Sequence, residues 1–256
     1  MKLLVVAAEE REFRGILAHA NQKFGGKRLA GDSACPTCLQ SGTDASVCQP
    51  ARMGVDWARW AVLGEHELLL VANGAGPARA AAAVDGAAAA FLPETIVSTG
   101  FCGALDEKLD VASVVVATEA MGADGRFRAR APVTSLPHLA GVVLTIDHVA
   151  QSAAEKRSLR QTGATIVDME AAAVAGRSAA LGLPFYCIKA VTDLAGEDMA
   201  NNLNAAMRPD GHFDTMKILG SIFCRPRVRL PELLRLKRRS ARAACALGDF
   251  FADCRF

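Results

Sequence analysis

Three acidic residues stand at the ends of apolar runs or at a helix start, where an α/β fold presents side chains to a ligand. Glu12 follows the first apolar run, Glu170 begins an Ala-rich helical stretch, and Asp193 ends the run from Tyr186. Carboxyl groups in these places can activate water, accept hydroxyl hydrogens or deliver a proton. Helix capping is the alternative role for any one of them, and also for Asp168. Burying all three without partners would be costly, which favours a chemical role.

Two glycine turns follow apolar runs. Gly74 and Gly76 lie in Val71–Pro77, directly before an Ala-rich helix, and Gly100 lies in Thr99–Ala104. Glycine lets the backbone turn tightly and approach a ligand, and a helix N-terminus can hold an anion or a ribose oxygen. The first turn lacks the third glycine of the dinucleotide-binding fingerprint. A tight strand-to-helix turn and a ligand loop therefore stay open as interpretations.

Three cysteines raise the question of a metal. Cys35 and Cys38 have the spacing of zinc ligands, and Cys48 follows them. A closed structural zinc site needs four ligands, which Asp32, Asp44 or a partner chain would have to complete. A flexible loop with free thiols is the alternative, and we predict no metal in the site formed by the acids.

The elements that must position these residues follow from the apolar pattern. Continuous rather than alternating apolar runs indicate strands covered on both faces, with helical stretches between them. The predicted strands are Leu3–Val6, Leu68–Ala72, Ile96–Thr99, Val111–Thr118, Val142–Ile146 and Phe185–Val191. The predicted helices are Arg11–Ala20, Pro77–Phe91, Glu155–Thr162 and Asp168–Leu181. This alternation predicts one α/β domain with a twisted mixed sheet flanked by helices.

Composition excludes several classes of protein. With 256 residues, 51% hydrophobic and 22% charged, the chain has the composition of a globular protein rather than a disordered or fibrous one. A net charge of +2, 5% aromatic residues and a single tyrosine argue against a nucleic-acid platform. The first apolar run stops at Glu9, which favours a buried strand over an export signal. We therefore expect a cytoplasmic location with reduced thiols.

Two segments differ from the rest of the chain. Residues 21–56 are rich in Gly and Pro and predict a loop inserted into a domain that spans residues 1–223. The tail, residues 224–256, combines helically spaced leucines with many arginines. A basic amphipathic helix of this kind can lie on an anionic membrane surface. Alternatively it docks, with Phe250, Phe251 and Phe256 packed on the body or on a partner chain.

The acids and glycine turns carry a resemblance to a known family. Met1–Phe13, both glycine turns, Asp168–Ala173 and Lys189–Asp193 resemble the nucleoside phosphorylase superfamily, its nucleosidase branch especially. The resemblance covers most of residues 1–195. It implies an enzyme, with a phosphorylase/nucleosidase-like fold, that cleaves the N-glycosidic bond of a purine nucleoside and releases adenine. It also implies a homodimer as the expected assembly.

The resemblance also implies roles for individual residues. Glu12 corresponds to the residue that positions and deprotonates the attacking water, and Asp193 to the general acid that protonates the purine. The expected substrate-binding residues are Met169 under the sugar, Glu170 on the ribose hydroxyls and Thr192 beside the acid, with Gly74, Gly100, Phe101 and Val149. Val149 stands where related enzymes stack an aromatic ring on the base, which predicts a looser base pocket.

The sequence departs from the family where a phosphate would bind. Ser98 and Phe101 occupy the places of the phosphate-binding arginine and serine, so Arg11 or Arg79 would have to substitute. No cofactor is expected, and phosphate remains an alternative to water as co-substrate. Cys102, without a neighbouring base, is interpreted as a small core residue rather than a nucleophile.

A narrower resemblance concerns the substrate. The chain is similar to hopanoid-associated phosphorylases, whose substrate is taken to be adenosylhopane, over Trp57–Leu63, Leu69–Pro77, Ser98–Leu105, the stretch from Glu155 to Ala164 and the basic tail. We therefore expect a nucleoside with a large apolar 5′ substituent. Cleavage of methylthioadenosine or adenosylhomocysteine is the rival enzymatic hypothesis, and a non-catalytic nucleoside-binding protein is the second.

Overall fold

Strands and helices alternate along residues 1–23 and 50–256, which are the residues that the computed structural model describes. The strands are β1 (Lys2–Ala7), β2 (Trp57–Leu63), β3 (His66–Ala72), β4 (Thr95–Ala104), β5 (Val114–Gly122), β6 (Gly125–Arg128), β7 (Leu139–Thr145), β8 (Ile166–Asp168) and β9 (Phe185–Asp193). The helices are α1 (Arg14–Lys23), α2 (Pro50–Met53), α3 (Pro77–Phe91), α4 (Ala153–Arg160), α5 (Ala171–Ala180), α6 (Leu203–Ala206), α7 (Thr215–Cys224) and α8 (Pro226–Asp253).

The strands form one mixed sheet that curls back on itself. Its order is β2-β3-β1-β4-β8-β7-β5-β6, and β9 pairs with both β4 and β5. The pairs β4–β9, β9–β5, β5–β7, β7–β8 and β8–β4 therefore close a ring, in which β4–β9, β5–β7 and β7–β8 are parallel. This closure brings the carboxyl ends of β4 and β9 together, where we expected the acids.

Both faces of the sheet are covered, as continuous apolar strands require. In β1, Leu4 and Val6 pack with α3 and α5, whereas Leu3, Val5 and Ala7 pack with α1 and the C-terminal part of α8. The α/β fold predicted from the sequence, with helices flanking a mixed sheet, is confirmed.

Three strands lie outside the predicted set, each for a local reason. β2 forms a hairpin with β3, and β6 forms one with β5. β8 has only three residues, too few for a periodic signal, and it takes Asp168 out of the helix predicted over Asp168–Leu181. Glu170 occupies the N-cap position of that helix, and Asp168 Oδ2 accepts the N–H of its first residue, Ala171, at 2.9 Å.

The proposed insertion, residues 21–56, is described only at its edges. α1 continues to Lys23, and α2 covers Pro50–Met53 and packs on α3. Cys35, Cys38 and Cys48 lie outside the described residues. Their zinc interpretation therefore stays a prediction.

The C-terminal helix α8 docks on the body through its last turns. Phe250 and Phe251 are 1% exposed, and the ring of Phe256 contacts Tyr186 with centroids 5.3 Å apart. This is the packing that the docking interpretation expected of these three phenylalanines. The first turns of α8 are largely exposed.

Two glycines let α8 cross α1 at backbone contact. A Cβ on Gly15 would lie 1.9 Å from the carbonyl oxygen of Ala244, and one on Gly248 would lie 2.3 Å from the carbonyl carbon of Gly15. α1 directly follows the turn that carries Glu12, so this crossing fixes the helix that anchors a candidate catalytic residue.

We expect Gly248→Ala to lower the free energy of unfolding by about 1–3 kcal/mol, the usual cost of overpacking. The loss is larger if the backbone of Gly15, which the new Cβ would contact, does not shift. Denaturant unfolding measures this effect. Gly220→Ala in α7 is the matched control, since a Cβ there meets nothing within 4 Å. Equal stability of the two variants would contradict the close crossing.

Candidate active site

Glu12 is held against the end of β4 by backbone donors. It lies in a 3₁₀ turn, Glu10–Phe13, directly after β1. Its carboxylate accepts the N–H of Ala8 at 3.0 Å and that of Phe101 at 3.4 Å. Gly100 has φ +115°, and a Cβ on it would lie 2.5 Å from Glu12 Oε2. Only glycine allows both this backbone conformation and this approach.

Glu170 is bound by the first glycine turn. Gly76 precedes α3, and its N–H donates to Glu170 Oε1 at 3.1 Å. The anion at this helix N-terminus is thus a side chain of the protein itself. The N–H groups of Gly74 and Ala75 donate to the carbonyls of Ala8 and Gly211, at 2.9 and 2.8 Å. Gly74 therefore offers close backbone approach rather than a spare donor.

The Lys189 ammonium lies at the centre of this cluster. Lys189 is 1% exposed, and its Nζ lies 2.8 Å from Asp168 Oδ2 and 2.9 Å from the carbonyl oxygen of Thr99. Glu170 Oε2 is 3.9 Å away. Asp168 in turn accepts the hydroxyl of Thr145 at 2.7 Å. Lys189 is thus paired chiefly with Asp168.

Lys189 is one cation beside the carboxyl groups of Asp168, Glu170 and Glu12, which leaves an excess of negative charge. Burial and the neighbouring Glu170 raise the pKa of Glu12 to about 7. Burial, opposed by Lys189 and reinforced by Asp168, raises the pKa of Glu170 to about 7. Burial alone would lower the pKa of Lys189, but Asp168 and Glu170 outweigh it and raise that pKa. Near neutral pH, Glu12 and Glu170 can therefore each gain or lose a proton.

Asp193 lies at a β-bulge at the other end of the cluster. The register between β4 and β9 shifts between Cys102 and Gly103, so that Gly103 faces Asp193. A Cβ on Gly103 would lie 2.8 Å from Asp193 Oδ2. Bulges re-aim side chains in this way beside functional sites.

Two side chains hold the Asp193 carboxyl group. Thr192 donates its hydroxyl to Oδ1 at 3.1 Å, and Lys156 donates to Oδ2 at 2.6 Å. The side chain of Asp193 is 13% exposed and that of Lys156 is 1% exposed. Asp193 ends β9 and caps none of the helices in residues 1–23 and 50–256, so the capping alternative does not apply to it there.

The structure also gives the surroundings of Met169, Phe101 and Val149. Met169 and Phe101 are half-buried, and Phe101 packs toward the face covered by α1 and α8. Val149 pairs both its backbone groups with Asn204, at 2.8 and 2.9 Å. The structure brings Glu12, Gly100, Glu170 and the first glycine turn together around Lys189. It places Thr192 and Asp193 three and four residues beyond Lys189 along β9, and Val149 beside the segment that follows.

The three carboxyl groups are largely enclosed. Glu12 and Glu170 are 6% and 5% exposed. Two surface grooves lie elsewhere: one of about 510 Å³ between the start of β5 and α8, and one of about 360 Å³ beside α4. Burial raises the pKa of the Cys102 thiol, which agrees with a core residue rather than a nucleophile.

The arginines suggested for phosphate are engaged by carboxylates. Arg79 lies 2.9 Å from Asp56, and Arg11 lies 2.6 Å from Glu9. Among residues 1–23 and 50–256, no group of three His, Cys, Asp or Glu side chains is placed to hold a metal ion.

Sequence reasoning missed both lysines that organise the site. Lys189 stands inside an apolar strand, and a lysine there is a signal of a buried ion pair. Lys156 lies in the charged run Glu155–Arg157, where nothing in the sequence distinguishes it from a lysine that faces solvent. Only the packing of α4 shows that it points inward.

Comparisons with known proteins concern the sequence and the fold of the chain. A sequence model described as the phosphorylase superfamily matches residues 59–140 and 128–209, together more than half of the chain. The 5′-methylthioadenosine/S-adenosylhomocysteine nucleosidase of Staphylococcus aureus is 24% identical over 173 residues, 56% of this chain and 76% of the relative. The corresponding nucleosidase structure from Campylobacter jejuni superposes with a TM-score of 0.65 at 15% identity, covering 98% of this chain and 97% of that one. A futalosine hydrolase from Helicobacter pylori gives 0.63 at 13% identity, covering 98% and 96%.

The raised pKa of Glu12 predicts a measurable effect on stability. Between the unperturbed pKa of 4.5 and about 7, the folded chain holds more protons at Glu12 than the unfolded chain, so stability falls as pH rises. Glu12→Gln removes this term. We expect the unfolding free energy of this variant, relative to wild type, to rise by about 1–3 kcal/mol between pH 5 and pH 8. Denaturant titrations at both pH values test this, with the exposed Glu107→Gln as control. A pH-independent difference between Glu12→Gln and wild type would contradict the burial argument.

Proposed function

Because this chain belongs to the phosphorylase superfamily, we propose that it cleaves the N-glycosidic bond of a purine nucleoside and releases adenine. One observation carries the proposal: Glu12 and Glu170 are buried carboxyl groups that both feel the charge of Lys189, and Asp193 ends the strand that carries this lysine. Two carboxyl groups then serve the sugar and the nucleophile, and a third serves the leaving base.

The sugar end of the reaction needs negative charge. Cleavage of such a bond passes through a sugar with oxocarbenium character. Glu170 accepts hydrogen bonds from the ribose 2′- and 3′-hydroxyls, a pair that a carboxylate suits well. Met169 lies under the sugar as an apolar surface. Glu12 takes a proton from the attacking water, for which a pKa of about 7 is well matched.

The base end of the reaction needs a proton. Asp193 donates it to N7 of the purine, which lets the base leave in neutral form. Thr192 orients the acid through its hydrogen bond to Oδ1. Gly74, Gly100 and Phe101 supply the turns around the sugar, and Val149 borders the base.

Water is the nucleophile we propose. The backbone N–H groups of Ala8 and Phe101 bind Glu12, and Glu170 lies nearby, so a phosphate dianion would meet two carboxyl groups. Arg79 and Arg11 are paired with Asp56 and Glu9. These charges favour hydrolysis over phosphorolysis.

For the substrate, we propose a nucleoside with a large apolar 5′ substituent, such as adenosylhopane. The segment 194–214 links the site to α8. Asn204 binds Val149, and the Gly211 carbonyl accepts the N–H of Ala75. On its other side, the Glu232 carboxylate of α8 accepts the N–H groups of Ala200 and Asn201, each at 2.7 Å. An exposed surface of α7 and α8 is therefore linked to the site through this segment.

That surface has the composition of a lipid-binding face. We define the tail surface as Met216, Leu219, Arg227, Val228, Leu230, Leu234, Arg235 and Arg238. Its five apolar members are 46–76% exposed. Apolar side chains beside arginines suit the interface of an anionic bilayer. No helix in the described ranges is long and apolar enough to span a membrane, so we propose contact with the surface only. The homodimer and the cytoplasmic location stay predictions.

Adenine release tests the reaction. We expect wild type to release adenine from adenosylhopane and from methylthioadenosine at rates that added phosphate does not change. The kcat/KM should be at least tenfold higher for the lipid-linked substrate. Asp193→Asn should lower kcat about 10²–10⁴-fold, the usual contribution of a general acid. Asp124→Asn, in an exposed turn, is the control.

Each alternative has its own outcome in this assay. A sugar 1-phosphate product, formed only with phosphate, would mean phosphorolysis. A higher kcat/KM for methylthioadenosine would favour the rival substrate. Binding of the nucleosides without adenine release would establish the non-catalytic alternative.

Vesicle co-sedimentation tests the tail surface. We expect the chain to bind phosphatidylglycerol-containing vesicles and not pure phosphatidylcholine, with weaker binding at high salt. Arg227→Ser/Arg238→Ser should weaken binding about tenfold or more, because each arginine near the surface contributes about 1 kcal/mol. The control Arg128→Ser/Arg130→Ser removes two exposed arginines elsewhere. Equal binding of both double variants would contradict the proposed surface.

A further inference from the structure

Lys156 is a buried cation that the proposed chemistry has not used. It lies in the first turns of α4, which begins after the cap Ser152. Its side chain is 1% exposed, and Nζ donates to Asp193 Oδ2 at 2.6 Å and to the carbonyl oxygen of Leu194 at 2.8 Å. Burying an ammonium is costly unless its partners compensate for the lost water. The contacts of Lys156 with Asp193 and Leu194 at the end of β9 therefore compensate for its burial.

The two oxygens of Asp193 have different partners. Oδ2 is held by Lys156, and Oδ1 accepts only the Thr192 hydroxyl at 3.1 Å among the hydrogen bonds to this group in the described part of the chain. A carboxyl group held at one oxygen by a buried cation cannot rotate freely. Oδ1 is thereby left as the oxygen that can carry a proton toward a bound base.

We propose that Lys156 is a positioning residue for proton donation by Asp193. This inference rests on the proposed function. In the step, the proton on Oδ1 passes to N7 of the purine, and the pair of electrons of the glycosidic bond passes to the base. Asp193 becomes a carboxylate beside the Lys156 ammonium. The ion pair with Lys156 Nζ, 2.6 Å from Oδ2, stabilises that product of proton transfer and fixes the orientation of the carboxyl group.

The test separates the leaving base from the rest of the reaction. Lys156→Met keeps the length and removes the charge, and Lys156→Arg keeps the charge. Each variant is assayed with methylthioadenosine, whose base needs a proton, and with a 4-nitrophenyl 5-methylthioriboside, whose leaving group departs as an anion. The second substrate also reports whether a variant is folded and binds the sugar.

We expect Lys156→Met to lower kcat for adenine release about 10–100-fold, with KM changed less than about threefold. On the nitrophenyl substrate it should stay within about threefold of wild type. Lys156→Arg should restore part of the rate, and Lys156→Met/Asp193→Asn should be no slower than Asp193→Asn alone.

The exposed Arg157→Met, next to Lys156 on α4, is the matched control and should behave as wild type. Unchanged adenine release by Lys156→Met would overturn the inference. Equal loss on both substrates would mean a merely structural role and overturn it as well. A wild-type chain that releases no adenine would overturn the proposed function, and this inference with it.

Discussion

The buried ammonium of Lys189 is the interaction on which the candidate site depends. It is shared by Asp168 and Glu170 and lies close enough to Glu12 to lower the cost of ionising it. A single positive charge does not balance three carboxyl groups, so Glu12 and Glu170 keep pKa values near 7. In the proposed reaction, this excess of negative charge would stabilise a positively charged sugar and repel a phosphate dianion.

Close backbone approach is the second constraint. Gly100 admits Glu12 to the edge of β4, and Gly103 admits Asp193 to the same strand three residues later. Gly76 binds Glu170 through its N–H. Any side chain at Gly100 or Gly103 would displace a carboxyl group rather than fill a void. The end of β4 needs glycine at both positions, because the carboxyl groups of Glu12 and Asp193 lie against it.

Two buried lysines, Lys189 and Lys156, lie along β9. Lys189 lies within the strand and pairs with Asp168, whereas Lys156 reaches the end of the strand from α4 and holds Asp193. Beyond Asp193, the segment 194–214 passes over the first glycine turn and meets α8. The segment 194–214 thus connects the site with the helices that carry the tail surface.

The sequence by itself determined the α/β alternation, the positions of six strands and the docking phenylalanines, because burial on both faces leaves continuous apolar runs. It also singled out Glu12, Glu170 and Asp193, since acids at the ends of such runs are conspicuous. Only the tertiary structure decided how they are partnered. β8 is too short to detect, the ring closure depends on pairings between distant segments, and Lys156 looks like any surface lysine. Its burial depends on which side of α4 packs against the end of β9, and this is set by packing between segments about forty residues apart in sequence.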